Sequence, residues 1–539
     1  MKKIIWTVLM TVAVLPLAAQ ETYEIAGLSA TDLNGTARYV GMGGALEALG
    51  AEISTMSTNP AGIGLFRHSQ IRGSMGVVSQ QDVNNFGPSN KTNVSFDQIG
   101  FVWSTNTSGR KQSFVNFGFN YHKSRNLNQI LNVVDRLDGA SQSKLTYEKF
   151  RNGLITNSDD LRYSDDLRYS QTDALYNELL YDNSLIGTDG SFNPEGYPAY
   201  DGTDYTFNRS NTGYISEFDF NISGNINNRV YLGATVGVYD IHYDSYTEYD
   251  EGINPLGQKE FENTLDEAFL TDSRHITGSG VDFKFGVIFR PVENSPFRVG
   301  LYINSPTFYK IKTNNFTALT LAGTSNANPT QVVTDYKDRN GANEYEFRTP
   351  WKFGASLGHT VGNYLALGAT YEFADYSATD ARIPTGSGGY YDYYYWDEYY
   401  SYSNSESDSQ MNQHIRKTLK GVSTLKLGAE FKPDKNLAVR LGYNYISPMY
   451  EEDAYRGVEV YSWGNYDSSV TDYVNWKAIN RITCGVGFTL DKFVIDLAYQ
   501  YSTQKGEFLP FTGSDNNLPF ARTIENNRHQ ALLTLGYNF

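Results

Sequence analysis

Short and long connections take turns along this chain, and that regularity constrains its fold more than any single residue does. Fourteen segments of about ten residues alternate apolar and polar positions, the period-two mark of a strand. They lie at 69–80, 94–104, 112–123, 213–224, 229–241, 281–290, 297–305, 350–360, 364–376, 423–432, 437–447, 480–490, 492–503 and 528–539. The even-numbered segments are followed by short turns, such as Asn225-Ile226-Asn227-Asn228, Val361-Gly362-Asn363, Pro433-Asp434-Lys435-Asn436 and Asp491 alone. The odd-numbered ones from the third onward are followed by the long intervals 124–212, 242–280, 306–349, 377–422, 448–479 and 504–527. An even number of strands with short turns on one rim and long loops on the other is the pattern of an outer-membrane barrel, the short turns being periplasmic. A soluble sandwich has no reason to segregate its loops in this way.

The last segment shows the alternation most clearly. Ala531, Leu533, Leu535, Tyr537 and Phe539 share one face, and Gln530, Leu532, Thr534, Gly536 and Asn538 the other. Aromatic residues are 14% of the chain, with 42 Tyr and 49 Gly, and charged residues only 19%. Tyr, Phe and Thr suit pleated strands and membrane interfaces. No long apolar run follows residue 20. A chain of this kind crosses a bilayer only as a closed barrel, because lipid offers no partners to free backbone groups.

The first twenty residues set the compartment. Lys2 and Lys3, the apolar run Ile4–Leu17, and Ala18-Ala19-Gln20 make a positive n-region, an h-region and a small-residue cleavage site. The expected division is a signal peptide at 1–19, an N-terminal hatch at 20–68 and a barrel at 69–539 in the outer membrane. The net charge of −16 argues against nucleic acid, which needs a basic footprint. Cys484 is the only cysteine, and the His residues, among them His68, His122 and His275, show no metal-ligand spacing, so no metal or cofactor is expected. His68-Ser69 is a lone pair without a third partner, and no enzymatic constellation is read from it. Within 124–212, Leu127–Leu137 and Thr172–Tyr181 are helix-like, and Asp159-Asp160-Leu161-Arg162-Tyr163-Ser164 repeats in full at 165–170, as a tolerant surface loop allows. The tract Tyr390–Tyr402 mixes Tyr with Asp392, Trp396, Asp397 and Glu398.

Before the first strand stand Gly41-Met42-Gly43-Gly44-Ala45 and Ser54-Thr55-Met56-Ser57-Thr58-Asn59-Pro60-Ala61-Gly62. Toward the end stand Arg440-Leu441-Gly442-Tyr443, Gly485-Val486-Gly487-Phe488 and Asp496-Leu497-Ala498-Tyr499. In these motifs the chain resembles the outer-membrane transporters of long-chain fatty acids and other hydrophobic compounds. The resemblance covers the hatch and most strands but not the loops. It implies a 14-stranded antiparallel transmembrane β-barrel, a hatch in its lumen, and passive uptake of hydrophobic molecules that leave sideways through the wall. It also implies a hatch motif at Asn59, Pro60, Ala61 and Gly62, and a lateral exit by the third strand around Val115–Tyr121, with Gly118 and Phe119 near the ligand. The family's capture groove lies on loops after the fifth and seventh strands, whereas the largest interval here follows the third.

By alternation Glu372, Lys426, Glu430, Arg440, Arg481 and Asp496 face the lumen, where a balanced network is expected; Arg440 is the candidate to meet a substrate carboxylate. Two functions stay open. One is a channel whose partners are the bilayer and hydrophobic small molecules or fatty acids. The other is an adaptor barrel that docks secreted or surface proteins through its Tyr-rich loop 390–402.

Overall fold

The computed structural model describes residues 21–106, 113–151, 169–180, 200–253, 263–325, 328–385, 404–462, 469, 471–513 and 517–539. The expected signal peptide, most of the tandem hexapeptide and the Tyr390–Tyr402 tract lie outside these residues.

Among these residues twenty strands form one antiparallel sheet. In chain order they are β1 (Gln70–Gln80), β2 (Thr92–Asn106), β3 (Phe114–Asn126), β4 (Gln129–Arg136), β5 (Gly202–Ile226), β6 (Val230–Ile253), β7 (Asn263–Phe289), β8 (Arg298–Asn304), β9 (Phe308–Ser325) and β10 (Asn328–Arg348). There follow β11 (Lys352–Val361), β12 (Leu365–Asp375), β13 (Asp380–Thr385), β14 (Asn404–Ser407), β15 (Gly421–Asp434), β16 (Leu437–Ile446), β17 (Tyr473–Leu490), β18 (Phe493–Leu509), β19 (Arg522–Glu525) and β20 (Arg528–Asn538). β1 pairs with β20 from Gln70↔Asn538 to Gln80↔Arg528, which closes the sheet. The barrel has 14 staves, because β3–β4, β8–β9, β10–β11 and β12–β13 are each one stave with a break, and β14 and β19 are accessory. Two of the breaks carry Pro306 and Pro350, which have no N–H to give a ladder. Every one of the fourteen alternating segments falls on a stave.

The apolar parity of each stave points outward. Val94, Trp103, Phe220, Phe285, Leu441, Ile482 and Leu535 are all exposed. A continuous exposed apolar girdle on a closed barrel is stable only with hydrocarbon around it. No described helix is long and apolar enough to cross a membrane. The spanning element is therefore the strand.

The wall is uneven in height. A spanning strand needs about 9–11 residues, yet β5, β6 and β7 have 25, 24 and 27. The intervals 242–280 and 306–349, read from sequence as loops, are mostly strand: β6 pairs with β7 out to Gly252↔Glu267, and β9 with β10 throughout. Antiparallel pairing satisfies the backbone in water as well as in lipid, so the staves continue past the membrane. Leu127–Leu137 is likewise not helical. It carries β4, which pairs with β5 from Gln129↔Asn211 to Arg136↔Asp204. The helix expected at Thr172–Tyr181 is present as α4 (Gln171–Leu180), and it packs with α3 (Gln142–Arg151) inside the tall hairpins. Under this cap Glu251 is fully buried, accepts from the Gln142 amide (3.1 Å) and the Tyr249 hydroxyl (2.7 Å), and is pushed up to about 7 by burial.

Residues 21–66 pack against the inward-facing side of the staves. They comprise α1 (Thr22–Ser29), α2 (Ala37–Gly41) and two 3₁₀ turns, Ile53–Ser57 and Pro60–Leu65. Glu21 caps α1 by accepting from the amides of Tyr23 (2.9 Å) and Glu24 (3.2 Å), and Thr36 caps α2 through the Tyr39 amide (3.1 Å). Gly43, at φ +62°, turns the chain at the end of α2 against the wall. A β-carbon there would lie 2.8 Å from the Tyr443 amide, and one on Gly442 would lie 2.2 Å from the Gly43 amide. The glycines on the polar parity of the staves thus leave room for hatch backbone.

Candidate functional site

The Asn59-Pro60-Ala61-Gly62 motif forms a capped turn. Asn59 Oδ1 accepts from the Ala61 amide (3.2 Å), Pro60 occupies the first turn where no N–H is needed, and the Ala51 amide donates to the Gly62 carbonyl (3.0 Å). The turn is held to the wall by Ser223, whose hydroxyl donates to the Pro60 carbonyl (2.8 Å). Asn59 Nδ2 is buried and has no partner among the described residues.

The third stave is closed where the sequence placed an exit. From Phe114 to His122, β3 pairs with β2 on one side and with β5 on the other. Phe119 points outward and packs against Phe101 (5.9 Å) and Phe220 (5.4 Å), both exposed, so it belongs to the girdle and not to a lumen site. Gly118 points inward, where a β-carbon would lie 2.2 Å from Met56 Cε, so its role is to admit the hatch.

The seam opens further out. Pairing of β2 with β3 stops at Gln98↔His122, although β2 remains paired with β1 out to Thr92. Beyond that point the hatch takes the neighbour's place. The Asp32 amide donates to the Ser124 carbonyl (2.8 Å), the Asn126 amide donates to Asp32 Oδ2 (3.0 Å), and Asn34 Nδ2 donates to the Lys123 carbonyl (3.0 Å). Side chains bridge the gap: Lys123 Nζ donates to Ser95 Oγ (2.6 Å), Asn34 Nδ2 also donates to Asp97 Oδ1 (3.0 Å), and further out Gln80 of β1 donates to the Ile130 carbonyl and accepts from the Ile130 amide (2.9 Å each). Val94 and Phe96, on the unpaired stretch of β2, remain outward and exposed, so the gap lies within the apolar band.

Behind this seam is a cavity of about 340 Å³. Its floor is α1 and the following residues to Asp32, and its walls are β3–β7, β11, β12, β15–β18 and β20 with the 447–476 segment. Leu127, Leu131, Ile446, Val474, Trp476 and Ile479 give it an apolar side. Eight Arg and Lys side chains line it against five carboxylates, in a chain whose net charge is −16. Most of these cations have acids of their own: Arg274 pairs with Glu24 (2.8 Å), Arg209 with Asp472, and Lys477 with Glu507 (3.1 Å). At the seam the balance fails. Arg125, Arg481 and Arg528 repel one another, and Arg481 and Arg528 share Asp32, which reaches Arg481 at 3.3 Å. Among the described residues Arg528 donates to the Asn526 side chain (3.0 Å) and the Asn126 carbonyl (3.5 Å), and Arg125 has a buried NH1 without a partner. Above α1, His414 of α5 (Ser409–Thr418) sits 2.8 Å from the Thr22 hydroxyl, and burial holds its pKa below the usual histidine range.

Arg440 lies elsewhere, beside a smaller cavity of about 210 Å³. Its guanidinium is committed to Glu430 (2.7 Å) and Asp496 (2.6 Å), and Glu430 also meets Arg38 of the hatch (3.0 Å). Lys426 pairs with Glu47 (2.8 Å), and Glu372 accepts from the Tyr302 hydroxyl (2.8 Å). The structure therefore brings Arg440, Glu430 and Asp496 together and leaves Gly118 and Phe119 apart from them. Of the lumen charges read from sequence, Glu372 and Arg481 line the larger cavity. Arg125 and Arg528 escaped that reading. Arg125 follows a bulge between Lys123 and Arg125 that breaks the alternation and turns its side chain inward.

No protein-family model matches the chain, and no curated protein does. Solved structures to which it is similar include the CymD monoaromatic hydrocarbon channel, at 11% identity and a TM-score of 0.46 over 95% of this chain and 99% of that one. The toluene transporter TbuX of Ralstonia pickettii is similar at 14% identity and a TM-score of 0.42, covering 94% and 99%. A Pseudomonas aeruginosa FadL homologue is similar at 12% identity and a TM-score of 0.48, covering 94% and 99%.

Proposed function

We propose that this chain is an outer-membrane channel for passive uptake of hydrophobic compounds with an anionic head, long-chain fatty acids being the model case. The observation that carries the reading is the unpaired outer stretch of β2 and β3, with the cationic cavity directly behind it. An apolar tail that had to pass through water would lose about 25 cal/mol for each Å² exposed. A seam in the wall lets it move between the cavity and the bilayer without that step. The three arginines offer charge-assisted donors to a carboxylate while the apolar side takes the tail. In this reading residues 21–66 are the plug. A barrel of 14 strands is too wide for its own side chains to fill, and the hatch keeps ions out while its Asp32–Asn34 stretch serves as the removable edge of the seam.

Cross-linking tests the exit. In a Cys484→Ser background, Ser95→Cys and Lys123→Cys are joined by a cleavable bismaleimide, and uptake of labelled oleate into cells is followed. Uptake is expected to fall on cross-linking and to return when the linker is reduced. Equal uptake in linked and cleaved protein rejects the lateral route.

A further inference from the structure

Away from the arginine cluster the lumen wall holds a second group of charges, with the opposite imbalance. His122 of β3 stands directly across from Glu217 of β5 in the ladder, and Asp219 is two residues along the same strand. All three point inward and are buried. Asp282 and Lys284 of β7 reach them over β6. Gly237 makes that possible, since a β-carbon there would lie 2.4 Å from both Asp282 Oδ1 and Lys284 Nζ.

The oxygens divide into two sets. Lys284 takes Asp282 Oδ1 (2.6 Å), Glu217 Oε1 (2.8 Å) and Asp219 Oδ1 (3.4 Å), and Asp282 Oδ2 accepts from the Tyr239 hydroxyl (2.8 Å). Glu217 Oε2 and Asp219 Oδ2 are left on the other side, 3.4 Å from His122 Nε2 and 3.7 Å from its Nδ1 respectively. Asn120 Nδ2 lies 3.3 Å from His122 Nδ1 and 3.5 Å from Asp219 Oδ2. One ligand atom from each of His122, Glu217 and Asp219 lies within 4.8 Å of the other two. Buried charge is costly unless it is compensated. Lys284 compensates one oxygen of each carboxylate and leaves Glu217 Oε2 and Asp219 Oδ2 for a second cation.

We infer that His122, Glu217 and Asp219 bind a divalent transition-metal ion. One imidazole nitrogen with two carboxylate oxygens suits Zn²⁺, Co²⁺, Mn²⁺ or Fe²⁺. Atoms sharing such an ion lie at most about 4.4 Å apart, so the triad draws in by roughly half an ångström on binding. The remaining coordination positions face a cavity of about 110 Å³ that is bounded by hatch residues Leu28–Asn34. The ion would thus sit where the hatch meets β3 and β5, independently of which compound the barrel carries.

The full-length protein in detergent, stripped with EDTA, is titrated with Co²⁺ and followed by visible absorption. One Co²⁺ per chain is expected, with affinity at least tenfold weaker in His122→Ala. Lys284→Met, which removes the competing ammonium, is expected to bind at least tenfold more tightly. Absence of binding at millimolar Co²⁺, or equal affinity in His122→Ala, overturns the site. Should His122→Ala fail to assemble, Lys284→Met decides, and unchanged or weaker affinity there overturns it too.

Discussion

Arg440 and Arg528 both project from staves into the lumen, and their surroundings differ. Arg440 is 4% exposed and lies between two carboxylates at 2.7 and 2.6 Å. Arg528 has no carboxylate of its own; two other arginines crowd it around a single aspartate. A saturated buried cation holds structure together, since removing it strands its partners. A cation surplus inside a cavity is a standing invitation to an anion. On the proposed function, the difference separates a cation that holds structure from one that would meet a solute.

The sharpest break in this comparison is Arg440→Met. Glu430 would keep Arg38, but Asp496 would lose its ion pair while nearly all its surface stays buried. Removing one partner of a buried pair costs about 3–5 kcal/mol. The variant's urea midpoint in liposomes is expected to drop accordingly, and Asp496→Leu in the same chain is expected to recover much of the loss. A midpoint equal to wild type would make Arg440 a free cation like Arg528, and the distinction would collapse.

How much of this could be read from the residues alone follows from the physics of each part. A wall with lipid on one side and a lumen on the other forces a period of two, so all fourteen staves were visible. The tall hairpins of β6–β7 and β9–β10 stand where neither face need be apolar throughout, and they read as loops. Phe119 was legible and misassigned, because it shares the parity of Val115 and Phe117, which are exposed, while Asn116, Gly118 and Asn120 take the buried parity. Arg125 was not legible, because the bulge that turns it inward leaves no mark in the alternation. His122 and Glu217 are 95 positions apart in the chain, and only the register sets them opposite each other.

A smaller effect sharpens the comparison from the other side. Arg528→Gln keeps the polar side chain and removes the charge, at a position no carboxylate requires. Barrel stability is expected to move by less than about 1 kcal/mol. The dissociation constant for oleate, read by fluorescence displacement, is expected to rise about tenfold, the equivalent of about 1.4 kcal/mol. Binding of a neutral hydrocarbon such as toluene is expected to stay unchanged. Equal losses for oleate and toluene would mean that Arg528 shapes the cavity and does not read charge.

The smallest expected effect concerns an acid without a cation. Glu251, under the α3–α4 cap, has two donors on one oxygen, while its Oε1 is buried and unpartnered among the described residues. Burial raises its pKa from 4.5 in the unfolded chain to about 7. The cap therefore binds its proton more tightly when folded. Stability from this group is fully present below pH 4.5 and is lost as pH rises through 7, because over that range the folded state holds a proton that the unfolded chain has released, and the loss levels off above 7. Between pH 6 and pH 8 the loss is about 1 kcal/mol. Amide exchange in α3 and the outer end of β6 around Glu251 is expected to quicken about fivefold to tenfold over that range beyond its intrinsic pH dependence, while exchange in the membrane-spanning parts of the staves keeps its intrinsic slope. Glu251→Gln, which cannot ionise, is expected to flatten the excess. An excess that survives in Glu251→Gln would assign the pH response to another group and leave Glu251 an ordinary buried acid.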